Sequence, residues 1–169
     1  REEAHLYLHL QRVSFCLERH AARQAEAPDA ELVARIGREI EALDAYIDEQ
    51  FPDRELPIAR LLRRFALDDA ALRVLVAAAA PALDLSLARR LEAIAGRAQP
   101  SAGTLVAATA RDLLEERSAL AALRATAPLV RHRLIRLGPD GRVQGEWPLP
   151  VGTTRGGSHI AVWNNLIVI

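Results

Sequence analysis

The segment that most constrains this fold is residues 129–151, which read LVRHRLIRLGPDGRVQGEWPLPV. Residues 138–141 are Gly-Pro-Asp-Gly, the composition of a tight turn, because proline presets φ and Asp-Gly tolerates positive φ. After this turn, apolar residues alternate with polar residues and prolines, as in a strand with one buried face. Pro148 and Pro150 lack a backbone N–H, so this strand belongs at a sheet edge. The segment therefore predicts strand–turn–strand, a β-ribbon.

Upstream of the ribbon, apolar residues recur at helical spacing in two long segments. Residues 1–23 carry one apolar stripe, and residues 30–50 carry a second, with Asp29 at the position of an N-cap. Because a short breaker at 24–28 joins them, the two helices should pack as an antiparallel hairpin.

From residue 56 the predicted helices become shorter. Asp68 and Asp84 stand at N-cap positions, and Gly96 stands at the C′ position that ends a helix. The resulting predicted helices cover residues 57–66, 69–80 and 85–95. The helix over 69–80 is nearly all apolar, so it should lie at the centre of the core.

The last helices before the ribbon complete a recognisable outline. Pro100 and Ser101 open a helix to about residue 114, and the sequence leaves open whether it breaks before a last helix near 118–124. Several short helices followed by a β-ribbon are the outline of a winged helix, with residues 138–142 as the tip of the wing. The predicted fold class is mainly α, with an N-terminal antiparallel helical hairpin followed by a winged-helix domain that has a small β-ribbon. The predicted divisions are a helical hairpin at 1–50, a winged-helix domain at 56–151, and a linker and apolar tail at 152–169.

The tail differs in composition from the rest of the chain. Residues 152–158, GTTRGGS, have the composition of a flexible linker. The following HIAVWNNLIVI predicts a small hairpin across Asn-Asn. Because its final LIVI is apolar on both faces, it must pack onto this domain, a partner or a neighbouring copy.

Charge and cysteine content bound the class of protein. The chain of 169 residues contains no lysine, and its 22 arginines are matched by 22 Asp and Glu residues, so no global field draws it to nucleic acid or a membrane. The single cysteine, Cys16, excludes an internal disulfide and fits a reducing compartment, which here predicts the cytoplasm. The longest apolar run, residues 74–83, is shorter than the roughly 20 residues of a membrane span, so we predict no membrane partner.

Helix one places four potential metal ligands in one narrow sector: His5, His9, Cys16 and His20. Each i,i+4 pair can bind one ion, but the two pairs lie about 10 Å apart along the axis and cannot share it. We interpret the histidines as side chains of a polar flank and predict no metal site. The chain also has no G-x-S-x-G motif and no lysine for a Walker A motif. We therefore predict no catalytic or cofactor-binding residue and no enzymatic activity.

Arginines cluster on the predicted ribbon, at Arg131, Arg133, Arg136 and Arg142. In DNA-binding winged helices a recognition helix enters the major groove, the wing contacts the backbone, and the surface is basic. Here the prospective recognition helix, residues 101–113, offers Arg111 and otherwise mostly Ala, Leu, Val and Thr, which favours packing over base reading. These four arginines with Arg111 form the candidate interaction surface.

Three segments carry a resemblance to a known family. They are EEAHLYLHLQRVSFCLERHAA at 2–22, ARLLRRFALDDAALRVLVAAAAPALDLSLARRLEAI at 59–94, and TAPLVRHRLIRLGPDG at 126–141. Together they resemble the winged-helix N-terminal region of bacterial AAA-family ATPases, some of which are associated with contractile, phage-tail-like injection systems. The resemblance implies a cytoplasmic parent whose ATPase module lies C-terminal to this region. ATP and Mg²⁺ would be bound in that module only, and a homo-oligomer would form through the parent.

Two function hypotheses follow. The first is a non-catalytic protein-recognition or assembly domain of a AAA-family ATPase, whose partner is another protein or the ATPase module of the same protein. The alternative is a winged-helix DNA-binding protein that uses the arginines of the wing.

Overall fold

The protein is mainly helical over the residues that the computed structural model describes, which are 2–52, 56–96 and 100–137, with the backbone of 162–163 and 166–167. In chain order the helices are α1 (Glu2–Gln24), α2 (Ala30–Gln50), α3 (Pro57–Phe65), α4 (Asp69–Leu83), α5 (Leu85–Ala95), α6 (Ala102–Ala107), α7 (Leu113–Ala122) and α8 (Pro128–Arg131). Two short strands, β1 (Val162–Trp163) and β2 (Leu166–Ile167), pair antiparallel. The mainly α prediction is confirmed.

Helix α4 is the centre of the core, as its nearly continuous apolar sequence predicts. It contacts α1, α5, α6, α7 and α8. The buried alanines at 77–80 let these neighbours approach closely, because the distance between packed helices depends on the side chains at the contact. The neighbours contribute buried leucines to the same cluster: Leu17, Leu87, Leu91, Leu105 and Leu129.

Helices α1 and α2 run antiparallel, because their contacts join the start of one helix to the end of the other. His5 stacks on Phe51 with ring centroids 4.7 Å apart, and Arg12 Nε lies 2.7 Å from Asp44 Oδ1. A small apolar cluster lies between the two helices: Cys16, Ile36 and Ile40. Other apolar residues of α1 belong to the main core, so α1 packs against α2 and α4 together.

The predicted N-caps are confirmed at Asp29, Asp68 and Asp84. Each carboxylate accepts a hydrogen bond from a backbone N–H of the first helical turn. The prediction that α4 ends at residue 80 is wrong, since the helix continues through Pro81 to Leu83. A proline in the last turn removes one hydrogen bond, and the N–H of Asp84 still donates to the carbonyl of Ala80 at 2.9 Å.

The continuous helix predicted from residue 101 to about 114 is wrong, because the chain turns between α6 and α7. Helix α6 ends at Ala107, and Asp112 caps α7 by accepting a hydrogen bond from the N–H of Glu115 at 2.9 Å. The Glu115 carboxylate in turn accepts from the N–H of Arg111 at 2.7 Å. This reciprocal pattern resembles a capping box. Helix α7 therefore begins at Leu113, whereas the sequence predicted a helix near residues 118–124.

The short helix α8 lies where the sequence predicted the first strand of the ribbon. Pro128 stands at its first position, where a fixed φ favours a helix. The prediction that Arg131 lies on the ribbon is wrong, because Arg131 is the last residue of α8. Arg133 then has a positive φ of 57°. The turn and second strand of the predicted ribbon, residues 138–151, and the linker that follows lie outside the described residues.

Two glycine-to-alanine substitutions are expected to change stability in opposite directions. Gly96 ends α5 at φ +66°, where a Cβ is strained, so Gly96→Ala should lower the free energy of unfolding by about 1 kcal/mol. Gly37 lies inside α2, where an added Cβ meets Arg19 Nε at an ordinary 3.8 Å, so Gly37→Ala should raise it by about 1 kcal/mol. Urea unfolding of both variants measures the changes, and equal signs would contradict the two backbone assignments.

Candidate functional site

The five arginines of the predicted interaction surface lie in different settings. Three of them are exposed on α8 and just after it: Arg131, Arg133 and Arg136. Arg111 is half-buried, and its guanidinium lies 3.5 Å from Glu41 and 3.7 Å from Asp112, so carboxylates already neutralise its charge. Arg142 lies outside the described residues.

Arg12 of α1, with an exposed fraction of only 3%, is the centre of a polar network that the sequence reasoning missed. Its Nε donates to Asp44 Oδ1 at 2.7 Å. Its Nη1 donates to the carbonyl of Thr109 at 2.6 Å, and its Nη2 donates to Glu115 Oε2 at 3.1 Å. One guanidinium therefore joins α1 to α2, to the turn between α6 and α7, and to α7 itself.

Arg73 of α4 completes the network. Its Nη1 donates to Glu115 Oε1 at 2.7 Å, and its Nη2 lies 3.6 Å from Asp44 Oδ2. Two guanidinium groups and two carboxylates thus balance one another, and charge-assisted hydrogen bonds of this kind are stronger than neutral ones. The network fixes α7 against α1, α2 and α4.

The two histidines at the start of α1 form a pair beside this network. His5 Nε2 and His9 Nε2 lie 3.2 Å apart, so the N–H of one ring donates a hydrogen bond to the nitrogen of the other. Burial lowers the pKa of His9 to about 4, helped by the nearby His5, Arg12 and Arg73 and opposed by Asp44. Burial also lowers the pKa of His5, and both rings are therefore neutral at pH 7.

A cleft of about 190 Å³ opens between α1, α2, α3 and α4. Its polar walls include His5, His9, Arg12, Asp44 and Arg73, and its apolar walls come mainly from α2 and α3. These five side chains bond to one another or to Glu115, and Asp48 and Asp69 also line the cleft, so most of its polar wall is part of a structural junction.

Cys16 and the histidines of α1 act in packing. Burial raises the pKa of the Cys16 thiol to about 11, with Glu115 and Asp44 adding to the shift and Arg12 opposing it, so the thiol is protonated and unreactive at pH 7. The polar-flank interpretation is wrong for His5, which is buried, as is Cys16. Over the described residues, no group of three or more His, Cys, Asp and Glu side chains could hold a metal ion.

Helix α7 presents large apolar side chains to solvent. The exposed fractions are 63% for Leu113, 73% for Leu114 and 52% for Leu120. The opposite face of the helix packs into the core through Ala119 and Ala122. The exposed leucines are therefore a surface feature that packing among the described residues does not use.

One arginine lies on the same outer face of α7 as these leucines, and a second follows the end of the helix. Arg117 is exposed and lies four residues after Leu113 and three before Leu120, so the three side chains share one helix face. Arg124 follows the helix and is also exposed. Together these side chains form the α7 surface: Leu113, Leu114, Arg117, Leu120 and Arg124.

The order of α6, a turn and α7 is that of a helix-turn-helix, in which the second helix is the recognition helix. A family model described as a winged helix domain, variant, matches residues 2–150. The chain belongs to this family. No curated protein and no solved structure matches the chain. Residues 101–113, the prospective recognition helix of the sequence analysis, comprise α6, a turn and the start of α7.

The sequence contained signals for both missed features. Arg12 falls on the same helix face as His5, His9 and Cys16, at spacings of four, three and four, and a charged residue on a face that is otherwise buried indicates a paired partner. The D-x-x-E pattern at 112–115 indicates the start of α7.

Among the described helices, none is by itself long and apolar enough to cross a membrane. Helices α4 and α5 reach the required length and composition only as a pair, with a bend of 111° between them.

Proposed function

We propose that this winged helix domain is a non-catalytic protein-recognition or assembly domain that binds its partner through the α7 surface. The observation that carries the proposal is the exposure of Leu113, Leu114 and Leu120 on α7, to which we assign the role of recognition helix from its place after α6 and a turn. Leucine neither donates nor accepts hydrogen bonds, so these positions cannot form the hydrogen bonds by which most base edges are read. Exposed apolar patches on a folded domain are instead typical of protein–protein contact.

We also propose that the parent protein is a cytoplasmic AAA-family ATPase. The support is the resemblance of residues 2–22, 59–94 and 126–141 to the N-terminal region of such proteins. In that arrangement ATP and Mg²⁺ bind to the C-terminal module only, and oligomerisation occurs through the parent. Sequencing the complete reading frame tests this, and a frame that lacks a downstream nucleotide-binding module would refute it.

The alternative is DNA binding by the arginines that follow the recognition helix. The observation that favours it is the exposure of Arg131, Arg133 and Arg136 close together in the chain. Arg142, the fourth arginine of that prediction, lies outside the described residues.

Fluorescence anisotropy of a labelled random DNA duplex at about 50 and 200 mM salt distinguishes the two functions. A protein that contacts several phosphates loses about a thousandfold or more in affinity between these conditions. We expect no such salt-dependent binding. Binding with a steep salt dependence that Arg131→Glu with Arg133→Glu abolishes would instead establish the DNA function.

A further inference from the structure

We propose that the partner segment is an amphipathic helix that carries acidic residues beside its apolar stripe. This inference rests on the proposed function and specifies the chemistry of the partner. It follows from the leucines and arginines that α7 exposes and from the engagement of its carboxylates in ion pairs.

The apolar part of the α7 surface selects a helical partner. Leu113 and Leu120 are seven residues apart on one face, and Leu114 widens that face to one side. A second helix with apolar residues at i, i+3 or i+4, and i+7 presents a ridge of matching length. Packing such a ridge would remove from water the leucines that are most exposed in α7.

The charged part of the α7 surface selects acidic residues on that partner. Arg117 and Arg124 are exposed and have no ion pair within the described residues. The carboxylates of α7 are engaged elsewhere, because Glu115 lies in the Arg12 network and Glu116 lies 3.3 Å from Arg23. The outer face of α7 is therefore apolar and positive, although the whole chain has a formal net charge of +0.

Two other occupants fit this surface less well. A second copy of the domain would add its own Arg117 and Arg124 to the same interface. The four positive charges would then have no carboxylate of the α7 surface to pair with, and like charges across an interface are unfavourable. A DNA duplex would complement the arginines but would leave Leu113, Leu114 and Leu120 against polar base edges.

A display library of helical peptides tests the proposal. Each peptide has leucine at positions i, i+3 and i+7, and Glu, Lys or Gln at the flanking positions. We expect selection on the wild-type domain to enrich Glu over Lys. In anisotropy titrations, the best selected peptide should bind about tenfold more tightly than the same peptide with Lys in place of Glu.

Variants of the domain connect this binding to the α7 surface. Leu114→Glu should weaken binding of the selected peptide about tenfold, and Arg117→Glu with Arg124→Glu should reverse the preference toward Lys. Leu85→Glu is the matched control, because Leu85 of α5 is 68% exposed and lies outside the α7 surface, so this variant should bind like the wild type. Circular dichroism checks that each variant is folded.

The outcomes separate this inference from the proposed function. If Lys or Gln peptides bind as tightly as Glu peptides and Leu114→Glu abolishes that binding, the acidic partner is refuted and the protein-recognition function stands. If no peptide is selected whose binding depends on Leu114, both are refuted.

Discussion

Arg12→Met should lower the free energy of unfolding by about 3 kcal/mol, at the lower end of the range for breaking a buried ion pair. Methionine keeps much of the side-chain length, so the change removes charge and hydrogen bonds with little loss of packing. It leaves the carbonyl of Thr109 without this donor and leaves Asp44 and Glu115 to Arg73 and their smaller contacts. We expect a loss near the lower end of that range because Arg73 remains and still pairs with Glu115 and Asp44.

Urea unfolding at pH 7 measures this loss, and Arg23→Met supplies the matched control. Arg23 pairs with Glu116 at 3.3 Å, but its exposed fraction is 47%, and exposed ion pairs contribute about 0–1 kcal/mol. We therefore expect the control to unfold within about 0.5 kcal/mol of the wild type. Similar losses in both variants would mean that the Arg12 network has no special role in stability.

Acidification from pH 7 to pH 5 should cost about 2 kcal/mol of stability through His9. The pKa of His9 is lowered from 6.5 to about 4 in the folded protein, so the unfolded chain binds the proton first as the pH falls. Stability from the neutral ring is complete above pH 6.5 and is lost progressively from there to about pH 4. Urea unfolding at pH 7, 6 and 5 measures the slope.

His9→Gln should flatten this pH dependence, because glutamine can bond to His5 but does not titrate. His20→Gln is the matched control on the same helix. Burial and Arg23 lower the pKa of His20 too, and its variant should keep the pH dependence that His9 causes. An unchanged slope in His9→Gln would refute the assignment.

Local signals in the sequence predicted much of this fold. The N-caps Asp29, Asp68 and Asp84 lie where their hydrogen-bonding chemistry requires, and Gly96 adopts the positive φ expected at the end of α5. The apolar run of α4 became the centre of the core, because a helix that is apolar all round has to be surrounded by neighbours. Each of these features depends on residues within one turn or one helix.

The features that sequence reasoning missed depend on contacts between distant residues. Arg12 and Glu115 are 103 positions apart. Periodicity within α1 indicates that Arg12 needs a partner, but it does not identify a partner so distant in the sequence. The start of α7 was missed for a different reason. Apolar residues continue from α6 across the turn, and this continuous pattern concealed the cap at Asp112. As a result, the leucines of α7 were not recognised as the outer face of a separate helix.

The position of Arg12 also has a consequence for how this domain can evolve. Its partners lie on α2, in the turn after α6 and on α7, so a substitution at any one of these places alters the electrostatic environment of the others. Recombination that exchanged the first two helices between relatives would succeed only when both parents carried compatible residues at positions 12, 44, 73 and 115. We therefore expect an exchange of α1 and α2 to preserve stability only when α7 is exchanged with them.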